Sequence, residues 1–394
     1  MPLDLARLRA DTPGTARRIH LNNAGAALMP RPVLEAQLGH LRREAEIGGY
    51  EAADEAQDAI AAIYARVARL IGADPDEIAL VENATVAWQM AFYALAREFR
   101  PGDRILTARA EYGANYVAFL QAARRTGAVI EVIPDDATGA TDPAALAAML
   151  DERVRLIALT WIPTNGGLVN PAAAIGRIAR AHGIPYLLDA CQAVGQLPVD
   201  VTELGCDFLS ATGRKFLRGP RGTGFLYVRR ALLAGLEPPM IDHHGAAWTA
   251  PDAYALRPDA RRFETWENNY AAQLGLGAAA DYAMALGLDA IAARCRVLAD
   301  RLRAGLRAIP GVTVHDLGTN PSAIVSFTMA GVEAATVKAH CAAAGINLST
   351  SQPSSTLLDA TARGLPPLVR ASPHCYNDEA EIDRALAALA AIRR

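Results

Sequence analysis

The 394-residue chain contains two lysines, Lys215 and Lys338, against 37 arginines, so chemistry that needs a side-chain primary amine has two places to occur. Arginine cannot stand in, because its guanidinium stays protonated, whereas a lysine can lose its proton and condense with an aldehyde. Lys338 lies on a helix-like run from Ala334 to Ala344 and lacks comparable neighbours. Lys215 sits in Ser210-Ala-Thr-Gly-Arg-Lys-Phe-Leu-Arg-Gly219, a Gly-rich turn that leads to the strand-like run Gly224 to Val228. Asp189 stands 26 residues earlier, in Leu187-Leu-Asp-Ala-Cys-Gln192. The compositional alternative, an arginine-rich chain that keeps a few lysines by chance, suits Lys338 better than Lys215.

Asp189 follows the apolar run Tyr186 to Leu188, which reads as a strand and places the carboxylate at a carboxyl strand end, where ligands bind in open α/β sheets. A carboxylate there can hold a pyridine nitrogen protonated and make the ring an electron sink for a carbanion at a substrate α-carbon. Taken alone, Asp189 fits a helix cap or a turn equally well. Gln192 is placed to hydrogen-bond a phenolic ring oxygen. The run Val81-Glu-Asn-Ala-Thr85 ends a strand and opens a helix, so the first N–H groups, at Ala84 and Thr85, and the Thr85 hydroxyl form an anion site. A threonine near a helix start is also a common plain cap. Thr212 and Arg214, beside the lysine, can reach the same anion. Tyr112, in Ala110-Glu-Tyr-Gly-Ala-Asn115 just past a strand, is placed to stack on a ring and donate a proton, the alternative being a surface loop tyrosine. Arg370, in Leu368-Val-Arg-Ala-Ser372, offers a two-pronged guanidinium to an α-carboxylate. A cofactor with an aldehyde, a pyridine nitrogen, a phenolic oxygen and a phosphate is pyridoxal phosphate. No metal is expected: His243 and His244 lack the spacing of a helical ligand pair, and the five cysteines show no CxxC pattern.

The elements that must carry these residues are legible as alternating strands and helices between about Ala52 and Tyr227, the pattern of a mainly parallel sheet covered on both faces. Strands are expected at Ile78 to Val81, Arg104 to Thr107, Val129 to Ile133, Leu156 to Thr160, Pro185 to Leu188, Phe208 to Ser210 and Gly224 to Val228. Helices are expected at Thr85 to Arg97, Tyr116 to Thr126, Pro143 to Asp151 and Pro171 to His182. An irregular stretch follows from Pro238 to Asp259, then two long helices and a smaller α+β unit. Hydrophobic residues make up 52% and charged residues 21%, which places the chain among ordinary globular proteins. The net charge of -3 supplies no basic field for nucleic acid. No run approaches the roughly 18 apolar residues that span a bilayer, and the first residues lack a leader pattern, so a cytoplasmic protein is expected.

In combination these motifs resemble the class V aminotransferase family of fold type I pyridoxal phosphate enzymes, from about His20-Leu-Asn-Asn-Ala-Gly25 through Arg370. The family includes cysteine desulfurases, isopenicillin N epimerase and carbon-sulfur lyases. Asp189 and Gln192 match its strand-end aspartate and glutamine, Lys215 its imine lysine, and Thr85 its phosphate-loop threonine. Tyr112 falls on the ring-stacking position, usually histidine in the desulfurases, and Arg370 on the carboxylate arginine. Thr164 and Asn165 fall where the family contacts the ring oxygen or the substrate. Three departures stand out. The segment Asn347 to Thr356 lacks the nucleophilic cysteine that desulfurases carry there, and neither Cys341 nor Cys375 replaces it. Arg214 takes a position that is commonly histidine. Glu267 takes a position that is a small hydroxyl reaching the partner's phosphate, leaving Thr265 or Asn268 to take that contact over.

The resemblance implies an α/β fold with a seven-stranded sheet, a large unit over 21–264 and a small unit of 1–20 with 265–394. It implies a homodimer whose active sites lie near the interface, acting on a small-molecule amino-acid substrate, with Asn23 and Arg370 in contact with it. The expected activity is a carbon-sulfur β-lyase without a persulfide cysteine, acting on a cysteine conjugate or cysteine sulfoxide. The alternative is an aminotransferase or an amino-acid epimerase.

Overall fold

The runs Ile78–Val81, Tyr186–Asp189, Phe208–Thr212 and Gly224–Val228 are buried along their whole length. Continuous apolar strands of this kind belong in a sheet covered on both faces. The computed structural model describes residues 3–392 and places them in such a sheet. Its seven strands run in the order Ile78–Val81, Gly224–Val228, Phe208–Thr212, Tyr186–Asp189, Val154–Thr160, Arg104–Thr107, Val129–Val132. Gly224–Val228 is antiparallel to both neighbours and every other pairing is parallel. The consequence is chemical. Thr107, Thr160, Asp189 and Thr212 all finish strands at one edge, and the Val81 strand end delivers the helix Ala84–Ala96 to that same edge. Thr160 lies directly opposite Asp189 in the register, and Asp189 opposite Ser210.

A second sheet, of four antiparallel strands, orders Val312–Val314, Val325–Met329, Leu368–Ala371 and Ser349–Ser351, and carries Arg370. It is drawn to the cavity edge of the large sheet by close backbone approach. A Cβ on Gly113, in the first turn of the helix Gly113–Thr126, would lie 2.6 Å from the Ser354 carbonyl oxygen, so only glycine lets that segment seat beside Tyr112. The helix Tyr270–Leu286 packs on Arg31–Ile47 and Gln57–Ile71. Among the described residues no single helix is long and apolar enough to cross a membrane.

The stretch expected to be irregular contains a hairpin, Ala246–Ala250 with Ala253–Leu256, in which Trp248 faces Tyr254 across the strands. Most of its residues are exposed, so it lacks the buried alternating face by which a strand is read from sequence.

Gly195 has a left-handed φ of 84°, and a Cβ there would sit 2.4 Å from the Leu217 nitrogen and the Phe216 carbonyl carbon, just after Lys215. Gly195→Ala is therefore expected to lose about 1–3 kcal/mol of stability by overpacking, read from urea unfolding. A midpoint equal to wild type would contradict this packing.

Candidate active site

At the carboxyl edge of the large sheet lies a cavity of about 520 Å³ lined by Thr85, Tyr112, Asp189, Gln192, Arg214 and Lys215, among others. The turn that carries Lys215 is held tightly. The Arg218 N–H closes it on the Lys215 carbonyl at 2.9 Å, with Arg218 in the left-handed region at φ 65°. The buried Arg218 guanidinium packs over the Tyr376 ring at 4.6 Å and donates to Leu28 O and Thr12 Oγ1. Next to the lysine, the Phe216 carbonyl accepts from His374 Nε2 at 2.8 Å, while His374 Nδ1 accepts the Cys375 N–H. Those partners fix the tautomer. Burial pulls the imidazole down to about 3, so it acts as a neutral strut.

Asp189 is buried and forms no ion pair among the described residues, although the Lys215 charge acts on it. Its Oδ2 accepts from Asn115 Nδ2 at 2.9 Å and its Oδ1 from the Cys191 N–H at 2.9 Å. Burial raises its pKa, opposed by those two hydrogen bonds and by Lys215. Behind it stands a second buried carboxyl that sequence reasoning missed. Glu111 accepts from the Tyr112 N–H, Asn115 Nδ2, the Thr160 N–H and Thr107 Oγ1, and makes a very short contact with Thr160 Oγ1. Burial first, then the Asp189 charge, push it up to about 7 against the pull of Thr160, Asn115 and Tyr112. No local pattern marks it, because Thr107 and Thr160, which bond it, lie on separate strands.

At the opposite side of the cavity, Asn83 caps the helix Ala84–Ala96 by accepting the Val86 N–H at 3.0 Å. Ala84 and Thr85 line the cavity from the first turn of that helix, where N–H groups have no intrahelical partner. Arg214 reaches it while donating one N–H to Gly25 O at 2.7 Å, and Arg221 and Gly222, not anticipated from sequence, line the same wall. Thr212 lines it too, its hydroxyl donating to Thr223 O. An anion-binding end and an acidic end thus face each other across Lys215.

Tyr112 is 37% exposed and opens onto the cavity. Its pKa is raised by burial, then by Cys191 and Asp189, against Arg214 and Arg370, so its phenol is a proton donor at neutral pH. Cys191 lines the cavity as well, and burial raises its pKa. Gln192 donates to Ala24 O at 3.2 Å, which leaves its buried Oε1 without a partner in the cavity wall. Thr164 faces the cavity, yet its hydroxyl accepts a short hydrogen bond from Arg370 Nη1. Arg370 is buried behind it with Nε unpaired, and burial draws its guanidinium down to about 10. Asn165 donates to Thr356 Oγ1 instead of facing the cavity. The structure does not bring Asn23 to the cavity. It is fully buried, with its amide given to His20 O and Ser372 O and its oxygen accepting from the Tyr376 hydroxyl, so it ties the N-terminal segment to the strand of Arg370. His244 lies against Glu264 at 3.1 Å and His243 stacks on Trp266.

The family model for aminotransferase class V matches residues 19–385. The chain belongs to the class V aminotransferase family. It is 32% identical to a probable cysteine desulfurase of Xylella fastidiosa strain 9a5c, covering 99% of this chain and 96% of that one. The apo structure of cysteine desulfurase from Thermococcus onnurineus NA1 superposes with a TM-score of 0.91 at 26% identity, covering 99% of this chain and 98% of the other. The protein C-DES, also 26% identical, superposes at 0.87 in a form with glycine covalently linked to its pyridoxal phosphate, covering 98% and 99% of the two chains. Described as a cystine C-S lyase in complex with its reaction product cysteine persulfide, C-DES superposes at 0.86. This class V aminotransferase family member is accordingly a fold type I enzyme that depends on pyridoxal phosphate. The residues fit that cofactor: a buried carboxylate that wants a protonated partner, an orphaned amide oxygen and two free helix N–H groups surround the lysine.

Proposed function

We propose that this class V aminotransferase family enzyme is a carbon-sulfur β-lyase that cleaves a cysteine conjugate or a cysteine sulfoxide without a persulfide cysteine. The observation that carries the reading is the pairing of a complete lysine-aspartate-tyrosine cavity with a segment 347–356 that holds no thiol beside the Arg370 strand. The similarity to a cystine C-S lyase supports it.

The cofactor, when bound, supplies an aldehyde for the substrate amine and a ring that accepts the electron pair released at Cα. Lys215 would hold it covalently, with Asp189 for its ring nitrogen and Gln192 for its phenolic oxygen. Ala84, Thr85, Thr212 and Arg214 would hold its phosphate, and Tyr112 would stack on its ring. Arg370, fixed by Thr164, grips the substrate carboxylate and turns Cα–H toward Lys215. With its amine free, Lys215 would take the substrate α-proton as general base. The Cβ–S bond then breaks with its electron pair on sulfur, and the Tyr112 phenol protonates the departing group. Aminoacrylate released to water tautomerises and hydrolyses to pyruvate and ammonia, so one water is consumed per substrate.

Arg370→Gln removes one charge from the carboxylate grip and is expected to raise KM by about 10- to 100-fold, the worth of a charge-assisted pair, with a smaller change in kcat. An unchanged KM would remove Arg370 from substrate binding. The reaction type is tested with S-substituted cysteines and their sulfoxides beside plain amino acids. Multiple-turnover pyruvate with an unchanged cofactor spectrum supports elimination. Stoichiometric loss of the aldehyde form, reversed by a keto acid, would mean transamination.

Further inferences follow the same reading. The exposed Tyr50 and Trp248, with 74% and 78% of their surface open on one chain, support a homodimer with active sites near the interface. Five unpaired cysteines support a reducing, cytoplasmic setting. The pairing of Ile19–His20 with Ile346–Asn347 supports assigning 1–20 and 265–394 to a small unit against a large unit over 21–264.

A further inference from the structure

Two buried carboxyls, Asp189 and Glu111, share one amide. Asn115 Nδ2 donates to Glu111 Oε1 at 2.8 Å and to Asp189 Oδ2 at 2.9 Å, so the two accepting oxygens lie roughly 6 Å apart or less. Neither carboxyl forms an ion pair among the described residues closer than Lys215, on the far side of Asp189. Unpaired carboxyls are rarely placed so close in a protein interior, because each raises the proton affinity of the other.

The donors around Glu111 show why a carboxyl and not an amide stands there. The Tyr112 N–H points at Oε1 and the Thr160 N–H at Oε2, and main-chain donors cannot be turned around. Both oxygens must therefore accept. The hydroxyls of Thr107 and Thr160 contact the same two oxygens and can either donate to an ionised Glu111 or accept from a protonated one. Thr107, Thr160 and Asp189 arrive from three adjacent strand ends, while Glu111 and Asn115 come from the turn and helix above them. The titratable groups that face this carboxyl are Asp189 and Tyr186, both from the strand Tyr186–Asp189.

We propose that Glu111 is a positioning residue for Asp189: through Asn115 it aims the Asp189 carboxylate, and its own charge strengthens the hold of Asp189 on the proton of the cofactor ring nitrogen. The inference rests on the placement of Asp189 at that nitrogen and is independent of which bond of the substrate breaks. Glu111 also receives the Tyr112 N–H, so the acidic end of the cavity and the residue that covers the ring are set by one carboxyl. The role is indirect, since Glu111 itself does not line the cavity.

The experiment is a spectrophotometric pH titration of the bound cofactor, without substrate, in wild type, Glu111→Gln, Asp189→Asn and the double variant, with cofactor affinity measured alongside. Loss of the Glu111 charge is expected to lower the titration midpoint by about one pH unit. Little further shift is expected when Asp189 is already asparagine, because the effect passes through Asp189. A Glu111→Gln midpoint equal to wild type, or an equal shift in the Asp189→Asn background, would overturn the proposal even if the variant melts at a lower temperature. An Asp189→Asn midpoint equal to wild type would overturn the placement of Asp189 itself, and the proposal with it. Should Glu111→Gln fail to fold, Asn115→Ala cuts the same link from the other side. It must shift the midpoint in wild type and not in the Asp189→Asn background, and any other pattern overturns the proposal.

Discussion

Replacing Lys215 with alanine is expected to lower turnover by about 10⁴-fold, the upper range for loss of a general acid or base, and to leave the protein without covalently attached cofactor. In the proposed mechanism Lys215 is both the amine that holds the cofactor between substrate cycles and the base within them, so one substitution would remove two functions. No other side chain can take them over. Lys338, the second lysine, is exposed on the helix Ala334–Ala343, away from the residues that line the cavity. Arg214, although adjacent, keeps its proton. Borohydride reduction followed by peptide mass analysis should find the cofactor on the Lys215 peptide of wild type and on no peptide of Lys215→Ala. Retained covalent cofactor with full turnover in the variant would refute the role of Lys215.

The second large effect falls on Asp189. Asp189→Asn keeps the shape and removes the charge that the proposed mechanism sets against the ring nitrogen, and the loss of one such preorganised electrostatic contact is expected to lower kcat by about 10²- to 10³-fold. The substitution also turns an acceptor into a donor opposite either Asn115 Nδ2 or the Cys191 N–H. Stability should move the other way. Burial raises the carboxyl's pKa in the folded chain, so the folded state binds that proton more tightly than the unfolded one. Its contribution is favourable at low pH and is lost as pH rises through the folded value. At neutral pH the apo-protein variant should therefore unfold no more easily than wild type. A parallel fall in activity and in apo-protein stability would instead mark Asp189 as a structural residue.

The strand-end carboxylate and the helix start that line the cavity were legible in the sequence because each is signalled by a local pattern. A polar residue directly after an apolar strand, as at Asp189, can only sit at a strand end, and Val81-Glu-Asn-Ala-Thr85 marks a strand passing into a helix start. Arg370 was found from its place near the end of the short apolar run Leu368-Val-Arg-Ala-Ser372, which is a strand. Glu111 was not legible. Its partners Thr107 and Thr160 lie on separate strands, and only sheet order and register bring them to one carboxyl. The burial of Arg218 was hidden for the same reason, since its compensation comes from Tyr376, Leu28 and Thr12, all far away in sequence. Asn23 misled in the opposite direction. The resemblance implies a substrate contact, whereas its amide is consumed in holding two segments together. The exposed hairpin of Trp248 and Tyr254 was missed because strand recognition relies on one buried face.

The most direct test of carbon-sulfur cleavage without a persulfide cysteine follows pyruvate release and protein-bound sulfane sulfur together, in wild type and in a Cys341→Ser, Cys375→Ser double variant, with cystine and S-substituted cysteines as substrates. Both residues are buried, and burial raises both thiols to about 11, which suits them to packing and not to nucleophilic attack. The expected result is pyruvate over many turnovers at similar rates in both proteins, with the sulfur recovered in solution. Alanine instead of pyruvate, accompanied by sulfur carried on the protein, would contradict the lyase reading and make the enzyme a desulfurase with a relocated thiol.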